Sequence, residues 1–342
     1  MAESIAIMGA GAWGTALAVI LARRGHRAIL CARRPAHRIA MRSARENAAY
    51  LPGVAFPDNL ELGERWDDAA ARADFIVVAV PSRYARRAIA PIAESIAPEA
   101  IVVSATKGLE DATLATMSQM LAETAPRAAH RAVLSGPGFA AEVARGLPAA
   151  LVAAARDEAD ARRVQELFSA PALRIYSSTD MAGVEICGAV KNVIAIAAGA
   201  ADGLGLGSSA RAAVITRGLA EIMRLVVAAG GRRETAAGLA GLGDLVLTCT
   251  GELSRNRAAG IALARGERPA AAAESVAADD AETDRGRPFA EGIASARPVH
   301  ALAARLGVEM PIVAAVYRAL YEGQAPKAMV EELLNRELKA EF

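Results

Sequence analysis

Ser4-Ile-Ala-Ile-Met-Gly-Ala-Gly-Ala-Trp-Gly14 decides the fold. Its first five residues form a short, largely apolar run that stops at glycine, as a buried strand does. Gly9, Gly11 and Gly14 follow with the spacing of a strand-to-helix turn, and Thr15 to Arg24 reads as the helix that the turn opens. The three glycines do different things: Gly9 makes the tight turn, Gly11 lets the backbone approach a pyrophosphate, and Gly14 lets the helix pack close to the strand. An anion there would meet free N–H groups at the positive end of a helix. Gly25-His26 breaks the helix, and Ala28 to Ala32 reads as a second strand, which completes a βαβ unit.

Outward from this unit, short apolar runs recur at Phe75–Val80, Ile101–Ser104, Ala132–Ser135 and Ala149–Ala155, each with helix-like sequence nearby. That alternation predicts a mostly parallel sheet with helices on both faces. After about Ser178 the strand pattern stops. Thr179–Ala201, Ser209–Ala229, Asp244–Thr248, Arg297–Leu306 and Ile312–Glu322 read as helices. The expected class is α/β, with a Rossmann-like dinucleotide-binding domain over residues 1–178 and an all-helical substrate and catalytic domain over 179–342. Arg265–Pro288 is Ala-rich, then acidic, then basic, and reads as an exposed insertion.

Composition limits the function. A chain of 342 residues suits two domains, and 54% hydrophobic against 23% charged residues supports a large buried core. The net charge of +1 carries no basic excess for a nucleic-acid partner. Cys31, Cys187 and Cys249 lie far apart, form no C-x-x-C pair and leave an odd count, so neither a disulfide framework nor a metal site is expected. Met1-Ala-Glu-Ser4 has no basic region typical of a secretory signal. Apolar stretches such as Val190–Ala201 fall short of the ~20 residues that span a bilayer. The expectation is a cytoplasmic protein without a membrane partner.

The end of the second strand sets cofactor choice. An acid there would hold the ribose hydroxyls of NADH, but the residues are Cys31-Ala-Arg33-Arg34. Two guanidinium groups suit a 2′-phosphate, which predicts that NADPH is preferred over NADH. The reaction is not given by this fold. None of the five tyrosines has a lysine four positions on, and no H-E-x-x-H or GK[ST] pattern occurs. No histidine lies in a motif-like context.

Chemistry-bearing groups concentrate in a few segments. Ser104-Ala-Thr-Lys107-Gly-Leu-Glu110 and Ser135-Gly136-Pro-Gly138-Phe-Ala140-Ala-Glu142 both leave the C-terminal end of a predicted strand, where α/β sheets hold ligands. Gly188-Ala-Val-Lys191-Asn192 puts a lysine within an apolar helix, and a lysine is rarely buried there without a partner. It is either a cleft residue of lowered pKa or a lysine that snorkels at a domain seam. Asp244, after Gly241-Leu-Gly243, and Ser254, before Arg255-Asn256, could each be a helix cap. Ser-Arg-Asn also suits a phosphate: a hydroxyl, a guanidinium fork and an amide at a helix start.

Taken in order, Gly9–Leu17, Ala105–Glu110, Ser135–Glu142, Ser178–Asp180, Gly183–Glu185, Lys191–Gly199, Gly241–Asp244, Ser254–Asn256 and Glu291-Gly292 resemble bacterial NAD(P)-dependent glycerol-3-phosphate dehydrogenases nearly end to end. The resemblance implies interconversion of dihydroxyacetone phosphate and sn-glycerol 3-phosphate. It makes Lys191 the proton acceptor and gives Lys107 contacts to both cofactor and substrate. It assigns Gly136, Gly138, Asp244, Ser254, Arg255 and Asn256 to substrate, with Asp244 also expected in the catalytic set. Trp13, Arg33, Arg34, Ala140, Arg255 and Glu291 fall to the cofactor. It further implies a cytoplasmic enzyme, often a homodimer, that supplies phospholipid synthesis. Two features depart from the family: Gly138 stands where a serine is usual, and the segment before Glu291 is several residues longer. Two other readings use the same residues: a β-hydroxyacid-type dehydrogenase acting on a carboxylate, and a non-catalytic NADP-binding regulator.

Overall fold

A computed structural model describes residues 2–267 and 290–335, together with 337 and 340. From residue 268 onward the Arg265–Pro288 stretch lies outside the described residues. Among the described residues, one sheet of eight strands holds the N-terminal half: β1 Ser4–Met8, β2 Arg27–Cys31, β3 Leu60–Gly63, β4 Phe75–Val78, β5 Ile101–Ser104, β6 His130–Ser135, β7 Ala149–Ala155 and β8 Leu173–Ser178. Their order is β3-β2-β1-β4-β5-β6-β7-β8. Every neighbouring pair is parallel except β6 and β7. The expected mostly parallel sheet is therefore present.

The strand sequences explain this layering. Successive side chains of a strand face opposite sides, so an apolar run serves two cores at once. Ile5, Ile7, Phe75, Val77, Ile101 and Val103 join one core with Leu17 and Leu21 of α1 (Ala12–Arg23) and Val164 and Phe168 of α7 (Glu158–Phe168). Ala6, Met8, Ile76, Val78 and Val102 face the other, against Ile89 of α4 (Ser82–Ile89) and Met117, Met120 and Leu121 of α5 (Met117–Thr124). Chain order reverses between β1 and β4, which opens a crevice at their C-terminal ends.

Two strands had no counterpart in the sequence reading, β3 and β8. Both are sheet edges with one wet face: Leu173 and Ile175 are buried while Arg174 and Tyr176 are exposed. Such strands alternate instead of forming a continuous apolar run.

From residue 181 the described chain is helical. Asp180 starts α8 (Met181–Gly203) by accepting a bond from the Gly183 N–H at 2.9 Å. The next helices are α9 (Gly207–Ala228), α10 (Arg233–Ala237), α11 (Asp244–Thr250) and α12 (Arg255–Ala264), with one π-helical turn at Leu239–Gly243. Helices Glu291–Arg305, Pro311–Tyr321 and Pro326–Leu334 complete the described chain. The sequence places the start of the first of these at Arg297; the helix begins six residues earlier, at Glu291, and Pro298 lies inside it, about two turns beyond that start.

The membrane expectation needs one correction. The helix around Val190–Ala201 runs for 23 residues and is long and apolar enough to cross a bilayer, yet most of it is buried inside the protein. Helices pack round it on all sides, which is why its sequence is apolar all round.

Candidate active site

The glycine turn lies at the crevice. Gly9 has φ +119°, and a Cβ there would stand 2.5 Å from the Ala79 carbonyl at the end of β4. A Cβ on Gly14 would stand 2.0 Å from the Gly9 carbonyl. Gly11 differs: its Cβ would project into open space. It is also the N-cap of α1 and supplies no side-chain cap, so the first amides of α1 are left for an outside anion. The indole N–H of Trp13 is buried with no protein partner. An open cradle, uncapped helix amides and an orphan donor fit a dinucleotide.

Beside the turn a cleft runs between the sheet and the helices. Trp13, Lys107, Gly138 and Ala140 line it from the sheet side. Lys191, Asp244, Ser254, Arg255, Asn256 and Glu291 line it from the helical side. Gly9, Gly11 and Gly14 form the adjoining turn. Gly136 contributes its carbonyl, which accepts a bond from Lys107 Nζ at 3.0 Å. Gly138 has no side-chain hydroxyl, and Trp13 packs against it: a Cβ there would lie 3.6 Å from the Trp13 ring. Arg33 and Arg34 do not line the cleft. They follow β2, with Arg33 exposed and Arg34 donating from Nη2 to the Tyr50 hydroxyl at 2.9 Å.

The centre is one carboxylate between two ammonium groups. Asp244 Oδ2 accepts from Lys107 Nζ at 2.6 Å, and Oδ1 accepts from Lys191 Nζ at 3.1 Å. Lys191 also donates to Thr248 Oγ1 at 2.7 Å. The hydroxyl of Thr248 in turn donates to the Asp244 carbonyl at 2.6 Å. Asp244 is the first residue of α11 but caps nothing with its side chain, so its reading as a helix cap is set aside. Ser254 does cap α12, accepting from the Arg257 N–H at 3.2 Å, and it lines the cleft as well.

Burial sets the electrostatics. Desolvation pushes the Lys191 ammonium down to about 8 and Lys107 adds to this, while the Asp244 charge opposes it. Burial alone would raise the Asp244 carboxyl, but the charges and hydrogen bonds of the two lysines outweigh it and hold the group below its ordinary range. The snorkelling reading of Lys191 is also set aside: its side chain is 8% exposed and its ammonium is paired inside the protein.

Thr248 was not singled out by sequence. The available signal is its position four residues after Asp244, on the same face of a helix. A second link also went unread. Asn256 Nδ2 donates to Asn192 Oδ1 at 2.8 Å, and Asn256 Oδ1 accepts the Gly292 N–H at 2.9 Å. One amide thus joins α8, α12 and the helix that begins with Glu291.

The family described as NAD-dependent glycerol-3-phosphate dehydrogenase N-terminus matches residues 4–161, and its C-terminus counterpart matches residues 180–331. The glycerol-3-phosphate dehydrogenase (NAD(P)+) of Geobacter sp. (strain M21) is 47% identical over 343 residues, covering 100% of this chain and 99% of the relative. That of Thioalkalivibrio sulfidiphilus is 48% identical over 338 residues, covering 99% and 98%. The crystal structure of glycerol-3-phosphate dehydrogenase from Coxiella burnetii superposes with a TM-score of 0.88 at 40% identity, covering 98% of this chain and 99% of that one.

Proposed function

The chain belongs to the NAD-dependent glycerol-3-phosphate dehydrogenase family, and from that premise we propose how its cleft works. It is an NAD(P)-dependent oxidoreductase that interconverts dihydroxyacetone phosphate and sn-glycerol 3-phosphate. The observation that carries the mechanism is Asp244 holding Lys107 and Lys191 side by side in one cleft. A bound nicotinamide supplies the hydride that reduces the ketone carbon. Residues 1–178 hold most of the cofactor, and residues from 179–342 complete that site and the substrate site.

Each residue has a task within that reading. Arg255, with Ser254 and Asn256, binds the substrate phosphate at the start of α12, where a guanidinium fork and helix amides favour an anion. This remote grip orients the ketone before reaction. Lys107 and Lys191 offer positive charge to the carbonyl oxygen as negative charge develops on it. Lys191 gives that oxygen its proton, and in the reverse direction takes it from the C2 hydroxyl. Asp244 keeps both ammonium groups in place; both its oxygens are engaged by lysines, which favours this role over contact with substrate hydroxyls. Gly11, Trp13, Ala140 and Glu291 face the cofactor. Arg33 and Arg34 favour NADPH over NADH because no acid follows β2.

The near balance of 39 basic and 38 acidic residues speaks against a nucleic-acid partner and the burial of α8 against a membrane-spanning role, while the resemblance supports a cytoplasmic enzyme. The resemblance supports a homodimer and a role in phospholipid synthesis. The test of function is NADPH oxidation, followed by absorbance, with dihydroxyacetone phosphate and with unphosphorylated keto acids. Turnover of the phosphorylated ketone alone is expected. Turnover of a keto acid instead would favour the β-hydroxyacid reading, and no turnover with any would favour the regulator. Lys191→Ala should lose turnover and keep NADPH binding; near-normal kcat would remove Lys191 from its role.

A further inference from the structure

Asn47 is fully buried in a loop that no step above uses. Its Nδ2 donates twice, to the Ala10 carbonyl at 3.0 Å and to Thr15 Oγ1 at 2.7 Å. Because a carbonyl can only accept, the nitrogen end of the amide must face Ala10. Oδ1 is therefore the acceptor toward His37 Nε2, 2.9 Å away, and His37 carries its proton on that nitrogen.

Ala10 is the residue between the first two glycines of the phosphate turn. Its carbonyl and the Gly11 N–H belong to one planar trans peptide and point in opposite directions. Holding the carbonyl inward therefore turns the Gly11 N–H outward, toward the open side of the turn. The other end of the Asn47 contact leads to the 2′-phosphate side. His37 lies on α2 (Pro35–Ala44), whose N-cap is Arg34. The His37 ring lies 5.3 Å from that of Tyr50, and the Tyr50 hydroxyl accepts a bond from Arg34 Nη2 at 2.9 Å.

We propose that Asn47 is a positioning residue for cofactor choice. One buried amide orients the peptide that offers Gly11 N–H to the pyrophosphate. Through His37 and Tyr50 it also fixes the angle at which Arg34 meets a 2′-phosphate. This rests on the reading of Arg34 as a ligand of that phosphate.

The test compares kcat/KM for NADPH and NADH, and the calorimetric Kd of 2′,5′-ADP and 5′-AMP, in four variants of the full chain. Tyr50→Phe removes the Arg34 contact and should lower the NADPH to NADH ratio about fivefold, with the NADH value unchanged. His37→Phe keeps a ring beside Tyr50 but loses the donor to Asn47, and should lower the ratio about threefold. Asn47→Asp cannot donate to Ala10; KM should rise about tenfold for NADH and further for NADPH, with kcat at saturation unchanged. Unchanged KM values in Asn47→Asp, or an unchanged ratio in both ring variants, overturns the proposal. If Asn47→Asp fails to fold, the two ring variants decide. Arg34→Ala separates the premises. If it leaves the ratio intact, the reading of Arg34 falls. If it lowers the ratio while the ring variants do not, only the role of Asn47 falls.

Discussion

Lys191 lies inside α8, and its burial determines both its chemistry and its pH range. A free lysine stays charged far above neutrality. With its ammonium brought down to about 8, Lys191 is charged below that pH and neutral above it. In the proposed mechanism reduction of the ketone takes a proton from this ammonium, so its kcat/KM should fall as pH rises through about 8. Oxidation of the alcohol needs the neutral amine, so its kcat/KM should rise through the same region. Lys107 adds to the lowering by like-charge repulsion. Replacing it in Lys107→Met should therefore move the inflection upward in whatever activity remains. Rate profiles from pH 6 to 10, in both directions, measure this; a flat profile contradicts the assignment. Arg255 poses a different question, because its proposed role is to grip a group that does not react. Arg255→Ala should raise KM for dihydroxyacetone phosphate about 10- to 100-fold, as loss of a charged hydrogen bond does, and change kcat less. Steady-state kinetics decides, and a KM equal to wild type refutes the phosphate assignment.

At the scale of elements, the distance between Lys191 and the proposed phosphate grip at Arg255 depends on how closely α12 lies on α8. Two glycines allow the contact. A Cβ on Gly199 would stand 2.0 Å from the Arg257 carbonyl, and one on Gly260 would stand 2.0 Å from the Ile196 carbonyl. The obstacles are backbone atoms, which cannot turn aside as a side chain can. Gly260→Ala must therefore push α12 outward, carrying Ser254, Arg255 and Asn256 with it. It should cost about 1–3 kcal/mol of stability, as overpacking does. It should also raise the substrate KM more than the cofactor KM. Urea unfolding and kinetics on the same sample test both halves. Edge elements show what sequence could not supply. β3 and β8 expose one face, so their charged residues concealed them, whereas central strands such as Phe75–Val78 are buried on both faces and stood out. The antiparallel pairing of β6 and β7 left no mark either, because the run in β7 is as apolar as those of its parallel neighbours.

Across the whole molecule, the sequence pointed to most of the side chains that line the cleft, though not to Thr248, and it did not show their convergence. Lys107, Lys191 and Asp244 each stood out, the first two as lysines in strand-end or apolar contexts and all three through resemblance. That both lysines share one carboxylate depends on the packing of sheet against helices, which no local pattern encodes. The same holds for Glu185, which lies in the first turns of α8 and is buried. Its carboxylate accepts the Ser118 N–H at 2.7 Å and the Ser118 hydroxyl at 2.6 Å. Ser118 belongs to the first turn of α5, so an acid from the helical half satisfies the positive end of a helix packed on the sheet. Burial pushes the Glu185 carboxyl up, though the Ser118 bonds oppose it. The folded chain therefore binds a proton there more readily than the unfolded chain, and this group's contribution to stability declines as pH rises above the ordinary glutamate range. Glu185→Gln keeps the shape and an acceptor without the buried charge, so it should change stability by less than about 1 kcal/mol near neutral pH. Glu185→Ala leaves the α5 amide without its partner and opens a space between the halves, which should cost about 3 kcal/mol. Urea unfolding of the two variants at pH 7 tests the pin: equal losses would mean that the carboxylate oxygens hold nothing together, and a large loss in Ala with little in Gln is expected.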